Sequence, residues 1–182
     1  MARSVLARNG RMAPDAAIPS PVQSYLESLH ARLASLDDGT VATYIPELAK
    51  ADPAWFGICL ATTDGRVYEV GDTRQPFTIQ SISKPFAYGL ALEDRGHAAV
   101  LAKVGVEPSG EAFNSISLAP GTGCPLNPMI NAGAIATTSL IAGHSPADTL
   151  ERLLAVFSLY AGRPLAIDDE VYRSEKETGH RN

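Results

Sequence analysis

An α+β fold is what this sequence predicts, from three observations. Asp64-Gly65 is a hairpin turn between two apolar runs. At Ser81 the pattern changes from extended to helical, and a run of helices follows with no further strand signal. Two strands alone are marginal in water and need further strands or covering helices. The fold is therefore expected to be incomplete at its C-terminal end: an N-terminal hairpin plus a helical region.

The first helix is expected from Ser20. Ser20-Pro21-Val22-Gln23 supplies a cap residue, proline at the first helical position and Gln at the capping-box position. Val22, Tyr25, Leu26, Leu29, Leu33 and Leu36 form its apolar stripe, and Asp37-Asp38-Gly39 ends it. Trp55 to Thr62 reads as a buried strand, and Arg66 to Val70 as the strand that returns. Pro76 to Gln80 is short and extended. A helix starts at Ser81, with Pro85 in its first turn, and stops at Gly96. His97 to Val104 is a further short helix. Residues 105 to 127 are rich in Gly, Pro, Ser and Asn and read as loop. Asn131 to Ala142 is a small-residue helix suited to tight burial, Ser145-Pro146-Ala147-Asp148 opens the next, and a last helix begins near Asp168 or Asp169.

Composition narrows the function classes. A hydrophobic fraction of 45% with 19% charged residues is that of a globular protein. A net charge of −5 without a Lys/Arg run argues against nucleic acid as a partner, and no apolar run approaches the ~18 residues of a membrane span. Cys59 and Cys124 lie far apart in no metal pattern, which suits a reducing cytoplasm. His30, His97, His144 and His180 form neither a metal spacing nor a triad and are expected at the surface; no metal and no cofactor is implied. Residues 1–19 carry Arg3, Arg8 and Arg11 without the apolar stretch of a secretory signal, and read as a disordered extension before a domain spanning 20–182.

The chemistry concentrates in Gln80-Ser81-Ile82-Ser83-Lys84. A serine hydroxyl is a poor nucleophile until a base takes its proton, and lysine is such a base only when burial or nearby cations lower its pKa. Three residues apart on a helix, the Ser81 and Lys84 Cβ atoms are expected about 5–6 Å from each other. The helix N-terminus adds N–H groups and partial positive charge. This is the S-x-x-K arrangement of β-lactamases and penicillin-binding proteins. The bare tetrapeptide arises by chance in roughly one chain in three, and its bland reading is a cap serine followed by a surface lysine. Its place, just after a hairpin at a strand-to-helix junction, favours the chemical one.

Six blocks then carry a resemblance: VATYIPELAK from Val41, FGICLATTDGRVYEVGD from Phe56, FTIQSISKPF from Phe77, VGVEPSGEAFNS from Val104, NPMINAGAIA from Asn127 and SEKETGHRN from Ser174. Together they resemble the N-terminal part of the serine-dependent glutaminase family, which has a β-lactamase/transpeptidase-like fold. The resemblance implies hydrolysis of L-glutamine to L-glutamate and ammonia. It implies Ser81 as nucleophile, Lys84 as base, and Ser81, Asn131, Glu175 and Asn182 as residues that contact the substrate. A carboxylate such as Glu175 suits an α-ammonium group, and the amides of Asn131 and Asn182 can donate to a carboxylate or accept from an amine. As bare residues, Asn131 could cap its helix and Glu175 could belong to a solvated face. Tyr44, Glu47, Asn114 and Ser115 are assigned structural roles.

The resemblance also implies a later strand with the second oxyanion donor, and the tyrosines that complete the family's active site; neither that strand nor those tyrosines is matched within these residues. The chain alone is thus expected to be inactive and poorly folded. Two other readings compete. One is a non-catalytic glutamine-binding or regulatory fragment. The other is a β-lactamase or penicillin-binding-type acyltransferase, disfavoured because no S-x-N motif or secretory signal is found. Self-association is compatible with the resemblance.

Overall fold

The computed structural model describes residues 20–112 and 114–178. They fall into two compact units: one from residues 20–41 and Ala51–Pro76, the other from Ala42–Lys50 and the described residues after 76. The expectations for residues 1–19, His180 and Asn182 lie outside the described residues.

In the first unit, helix α1 (Pro21–Leu33) packs on an antiparallel hairpin of β1 (Gly57–Ala61) and β2 (Val67–Gly71). Gly57 pairs with Gly71 and Ala61 with Val67. The Asp64-Gly65 turn forms as the sequence predicts, with Gly65 at φ 85° and the Gly65 N–H donating to the Thr62 carbonyl at 2.9 Å. Gly71, at φ 74°, brings the chain back under His30 and the Phe56 carbonyl, where an added Cβ would collide with both.

Four expectations are corrected here. Ser20 precedes α1, but its side chain makes no cap bond. Gln23 instead donates to Glu27 and, at 3.0 Å, to the Glu69 carbonyl, tying α1 to β2. The helix ends at Leu33 rather than beyond Leu36. Leu36 is exposed, so no burial sustains that extra turn, and Asp37 and Asp38 would oppose the negative end of the helix dipole. The strand expected to be buried is mostly exposed: among β1 residues only Ile58 is half-covered. A continuous apolar run implies cover on both faces, but a two-stranded sheet backed by one helix cannot supply it. His30 is not a surface residue either. It is half-buried, stacks on Phe56 with centroids 4.6 Å apart, and its Nε2 lies 3.1 Å from the Phe56 carbonyl.

The second unit is helical. A 3₁₀ turn (Gln80–Ile82) leads into α2 (Ser83–Arg95), followed by α3 (His97–Leu101), α4 (Asn131–Leu140), α5 (Pro146–Ala161) and α6 (Asp169–Thr178). Gly96 separates α2 from α3 at φ 77°. Ser145 caps α5 by accepting from the Asp148 N–H, and Gly162 closes it in the left-handed region. At α6 the cap is Asp168, whose carboxylate accepts from the Glu170 and Val171 N–H groups. The core joins Ala87, Leu90 and Ala91 of α2 to Val100 of α3 and Ile141 after α4. Leu153, Val156 and Phe157 of α5 pack against it. The described residues between 105 and 127 are loop, as predicted, with fixed contacts: Leu118 bridges Pro125, and the buried Ser117 hydroxyl donates to the Glu111 carboxylate.

A clamp closes the far end of α2. The Arg152 guanidinium grips the Asp94 carboxylate through two bonds, at 2.7 and 2.8 Å. Asp94 also accepts from the Ala142 N–H, and Arg95 donates to the Leu140 carbonyl at 2.8 Å. The Arg152 hydrogen bond is the main reason that the Asp94 carboxyl titrates below its ordinary value. That stabilisation is present above the ordinary carboxylate pKa and is lost as pH falls through the lower folded value. Asp94→Ala is expected to cost about 2–3 kcal/mol at neutral pH, by lost charged hydrogen bonds. Urea unfolding of both forms should show the difference shrinking below about pH 4.

Candidate functional site

Ser81 lies in the 3₁₀ turn that precedes α2. The residue before it, Gln80, has φ 44°, the left-handed region that non-glycine residues seldom occupy. Such a backbone costs of order 1–3 kcal/mol and persists where its surroundings hold it. Here the Ser83 hydroxyl donates to the Gln80 carbonyl at 2.7 Å and the Ile82 N–H donates to the Ile79 carbonyl at 3.0 Å, bracing the turn on both sides. Ser81 itself is exposed. Its hydroxyl is therefore presented at the mouth of a helical segment rather than used as the helix cap that its position suggested.

Because the regular helix begins at Ser83, Lys84 occupies its second position and Pro85 its third, where a missing N–H removes little. The half-buried Lys84 side chain reaches α4: Nζ donates to the Asn131 Oδ1 at 2.8 Å and to the Met129 carbonyl at 2.9 Å. Burial lowers the Lys84 pKa from its ordinary 10.5. Two N–H bonds are enough for these two acceptors, so a neutral amine can satisfy both. The surface-lysine reading of Lys84 is thereby excluded.

Asn131 is the first residue of α4, and Ile130 holds the cap position. The Asn131 side chain does not cap the helix through Oδ1, which is engaged by Lys84. That orients the amide so that its NH₂ group remains as a donor to a ligand oxygen. Asn127 takes the turn-fixing part instead: its Oδ1 accepts from the Met129 and Ile130 N–H groups, at 3.0 and 3.2 Å. Asn127 and the Met129 carbonyl were not singled out in the sequence, although Asn-Pro is a turn-opening signal that points to the former.

Glu175 stands exposed on α6 among Arg173, Lys176 and Glu177, all exposed, so its environment is that of a solvated face. Tyr44 is exposed and Glu47 pairs with Lys50. Ser115 holds a turn through its N–H to the Ala112 carbonyl. No group of His, Cys, Asp and Glu able to hold a metal occurs among the described residues. A cavity of about 640 Å³ in the second unit is lined by Arg95, His144, Asp148 and Arg152 and adjoins the clamp. It sits at the opposite end of α2 from Ser81, roughly 20 Å away at 1.5 Å per residue.

A serine on a strained turn, with a partly desolvated lysine three residues on that is held by the start of another helix, is the layout of serine acyl-transfer proteins with the β-lactamase-like fold. The comparisons narrow that class. Residues 39–182 match the family described as Glutaminase. A glutaminase of Trichormus variabilis is 57% identical over 90% of this chain and 49% of its own length. One from Microcystis aeruginosa is 56% identical over 89% of this chain and 48% of its own. A crystal structure of Mglu in its glutamate form superposes with a TM-score of 0.84 at 49% identity, over 91% of this chain and 38% of that one. The chain belongs to the glutaminase family, and it spans about half the length of these curated relatives.

Gly133 tests the packing that brings the site together. In a helix, Gly→Ala ordinarily stabilises by about 1 kcal/mol. Here the added Cβ would overlap the Asn127 carbonyl and crowd Pro128. Gly133→Ala is expected to destabilise by about 1–3 kcal/mol instead, read as a lower midpoint in urea unfolding.

Proposed function

We propose that these residues supply the nucleophile and base of an amidohydrolase that converts L-glutamine and water to L-glutamate and ammonia. The observation that carries this reading is Lys84, three residues after Ser81, with its Nζ 2.8 Å from the Asn131 Oδ1 in a site that lowers its pKa. Family membership supports it, as does the glutamate that the Mglu relative holds in its glutamate form.

In this mechanism Lys84, neutral, takes the proton of the Ser81 hydroxyl as Oγ bonds to the side-chain amide carbon of glutamine. The carbonyl π electrons move onto oxygen, and the Ser81 N–H, at the start of a helical segment, is one donor to that oxyanion. The proton passes from Lys84 to the amide nitrogen, the C–N bond breaks, and ammonia leaves a γ-glutamyl ester on Ser81. Water then attacks the ester carbon, giving its proton to Lys84, which returns it to Ser81 as glutamate departs. The Asn131 NH₂ donates to a substrate oxygen. Glu175 and Asn182 are assigned to the substrate on the family resemblance, with Glu175 facing the α-ammonium group. The free thiols Cys59 and Cys124 support placement in a reducing cytoplasm.

The second oxyanion donor lies, by the same resemblance, in the half of the family's length that this chain does not span. The 182-residue chain is therefore expected to release no glutamate. Joined to the C-terminal half of the Trichormus variabilis relative, it should release glutamate, and Ser81→Ala should abolish that. Since the base acts only when neutral, kcat/KM should rise as pH rises through the Lys84 pKa, below 10.5. Release by the 182 residues alone would refute the assignment of the second donor. Glutamine binding without turnover in both forms would make the protein a binding module.

A further inference from the structure

Resting on the reading of Lys84 as proton acceptor, we propose that Asn127 is a positioning residue for that base, holding two of its acceptors, the Met129 carbonyl and the Asn131 amide, in place from 43 residues away in sequence. The Asn127 Oδ1 accepts from two successive N–H groups, those of Met129 and Ile130, and so sets the turn in which the Met129 carbonyl points at Lys84. The same turn delivers Asn131, the other acceptor, to the first position of α4.

Both ends of the Asn127 amide are used. Its Nδ2 donates to the Glu107 carbonyl at 3.0 Å. That bond continues a short ladder in which the Gly105 N–H donates to the Pro125 carbonyl at 2.9 Å and the Glu107 N–H to the Leu126 carbonyl at 3.1 Å. The turn is thus anchored to a neighbouring segment rather than hanging from α4. On its other side, Gly133 lets the first turn of α4 rest directly on the Asn127 carbonyl. The three contacts leave the Met129–Asn131 backbone little freedom. Lys84, whose own backbone lies on α2, finds its acceptors already placed.

The test reads Lys84 directly and does not depend on glutamine turnover. In the chain joined to the C-terminal half of the Trichormus variabilis relative, Lys50, Lys84, Lys103 and Lys176 are labelled competitively with acetic anhydride across a pH series, and each is quantified by peptide mass spectrometry. At high pH, where the amines are neutral, the plateau for Lys84 relative to the exposed Lys103 reports how firmly the side chain is held. Asn127→Ala should raise that ratio about 2–10-fold, the change expected for releasing one net hydrogen bond. Asn127→Asp keeps the acceptor for both N–H groups but loses the donor to the Glu107 carbonyl, so its ratio should lie between those of the original and of Asn127→Ala. An unchanged ratio in a folded Asn127→Ala chain overturns the proposal. If Asn127→Ala loses its helical circular dichroism, Asn127→Ser, which keeps a shorter acceptor, decides. A rise at Lys84 alone supports positioning. An unchanged ratio, or global unfolding there too, makes Asn127 a folding residue and overturns it. No glutamate release by the unsubstituted chain joined to that C-terminal half, together with a raised ratio in Asn127→Ala, would count against the glutaminase reading and leave the positioning role standing.

Discussion

The Lys84 amine, taken up by the Met129 carbonyl and the Asn131 amide, is the interaction around which the helical unit is arranged. A lysine drawn partly out of water must find oxygen acceptors, because an unpaired buried amine loses its hydration without return. The bonds span 45 and 47 residues and tie the start of α2 to the start of α4. The same withdrawal from water that demands acceptors also lowers the pKa, so the structural tie and the shifted titration of Lys84 have one cause.

At its other end α2 is secured by charge. Asp94 and Arg152 connect it to α5, while Arg95 reaches the last carbonyl of α4. Between these two fastenings lie Ala87 and Ala91 on α2 and Gly133 and Thr137 on α4, all buried, and small side chains of this kind let helices approach closely. On α2, Phe86 stacks against Tyr160 of α5 with centroids 5.0 Å apart. A helix held at both ends and packed along its length is a rigid platform. That rigidity is what allows the turn before it to carry a strained Gln80 and to hold Ser81 out toward solvent.

Much of this was legible in the chain itself. The hairpin at Asp64-Gly65, the stop at Gly96, the cap at Ser145 and the start of α6 each depend on a few adjacent residues whose backbone preferences dominate. Ser81 and Lys84 were visible for the same reason, since three residues on a helical segment define their separation. The misreadings all turn on what comes from elsewhere. Gln23 looked like a capping-box residue until β2 offered it a carbonyl. His30 looked like a surface residue until Phe56 stacked on it. The apolar run of β1 promised two covered faces, and burial depends on partners that no run of residues names for itself.

The sequence by itself determined the order of the elements, the three-residue spacing of Ser81 and Lys84 and, through six long blocks, the family. Local backbone preference and short spacings write these directly into the chain. The tertiary structure alone decided that the Asn131 amide turns its oxygen to Lys84, that Asn127 takes over the turn-fixing work, and that burial lowers the Lys84 pKa. Hydrogen-bond partners 20 to 58 residues apart, and the loss of water around a side chain, come into being only when separate helices are brought together.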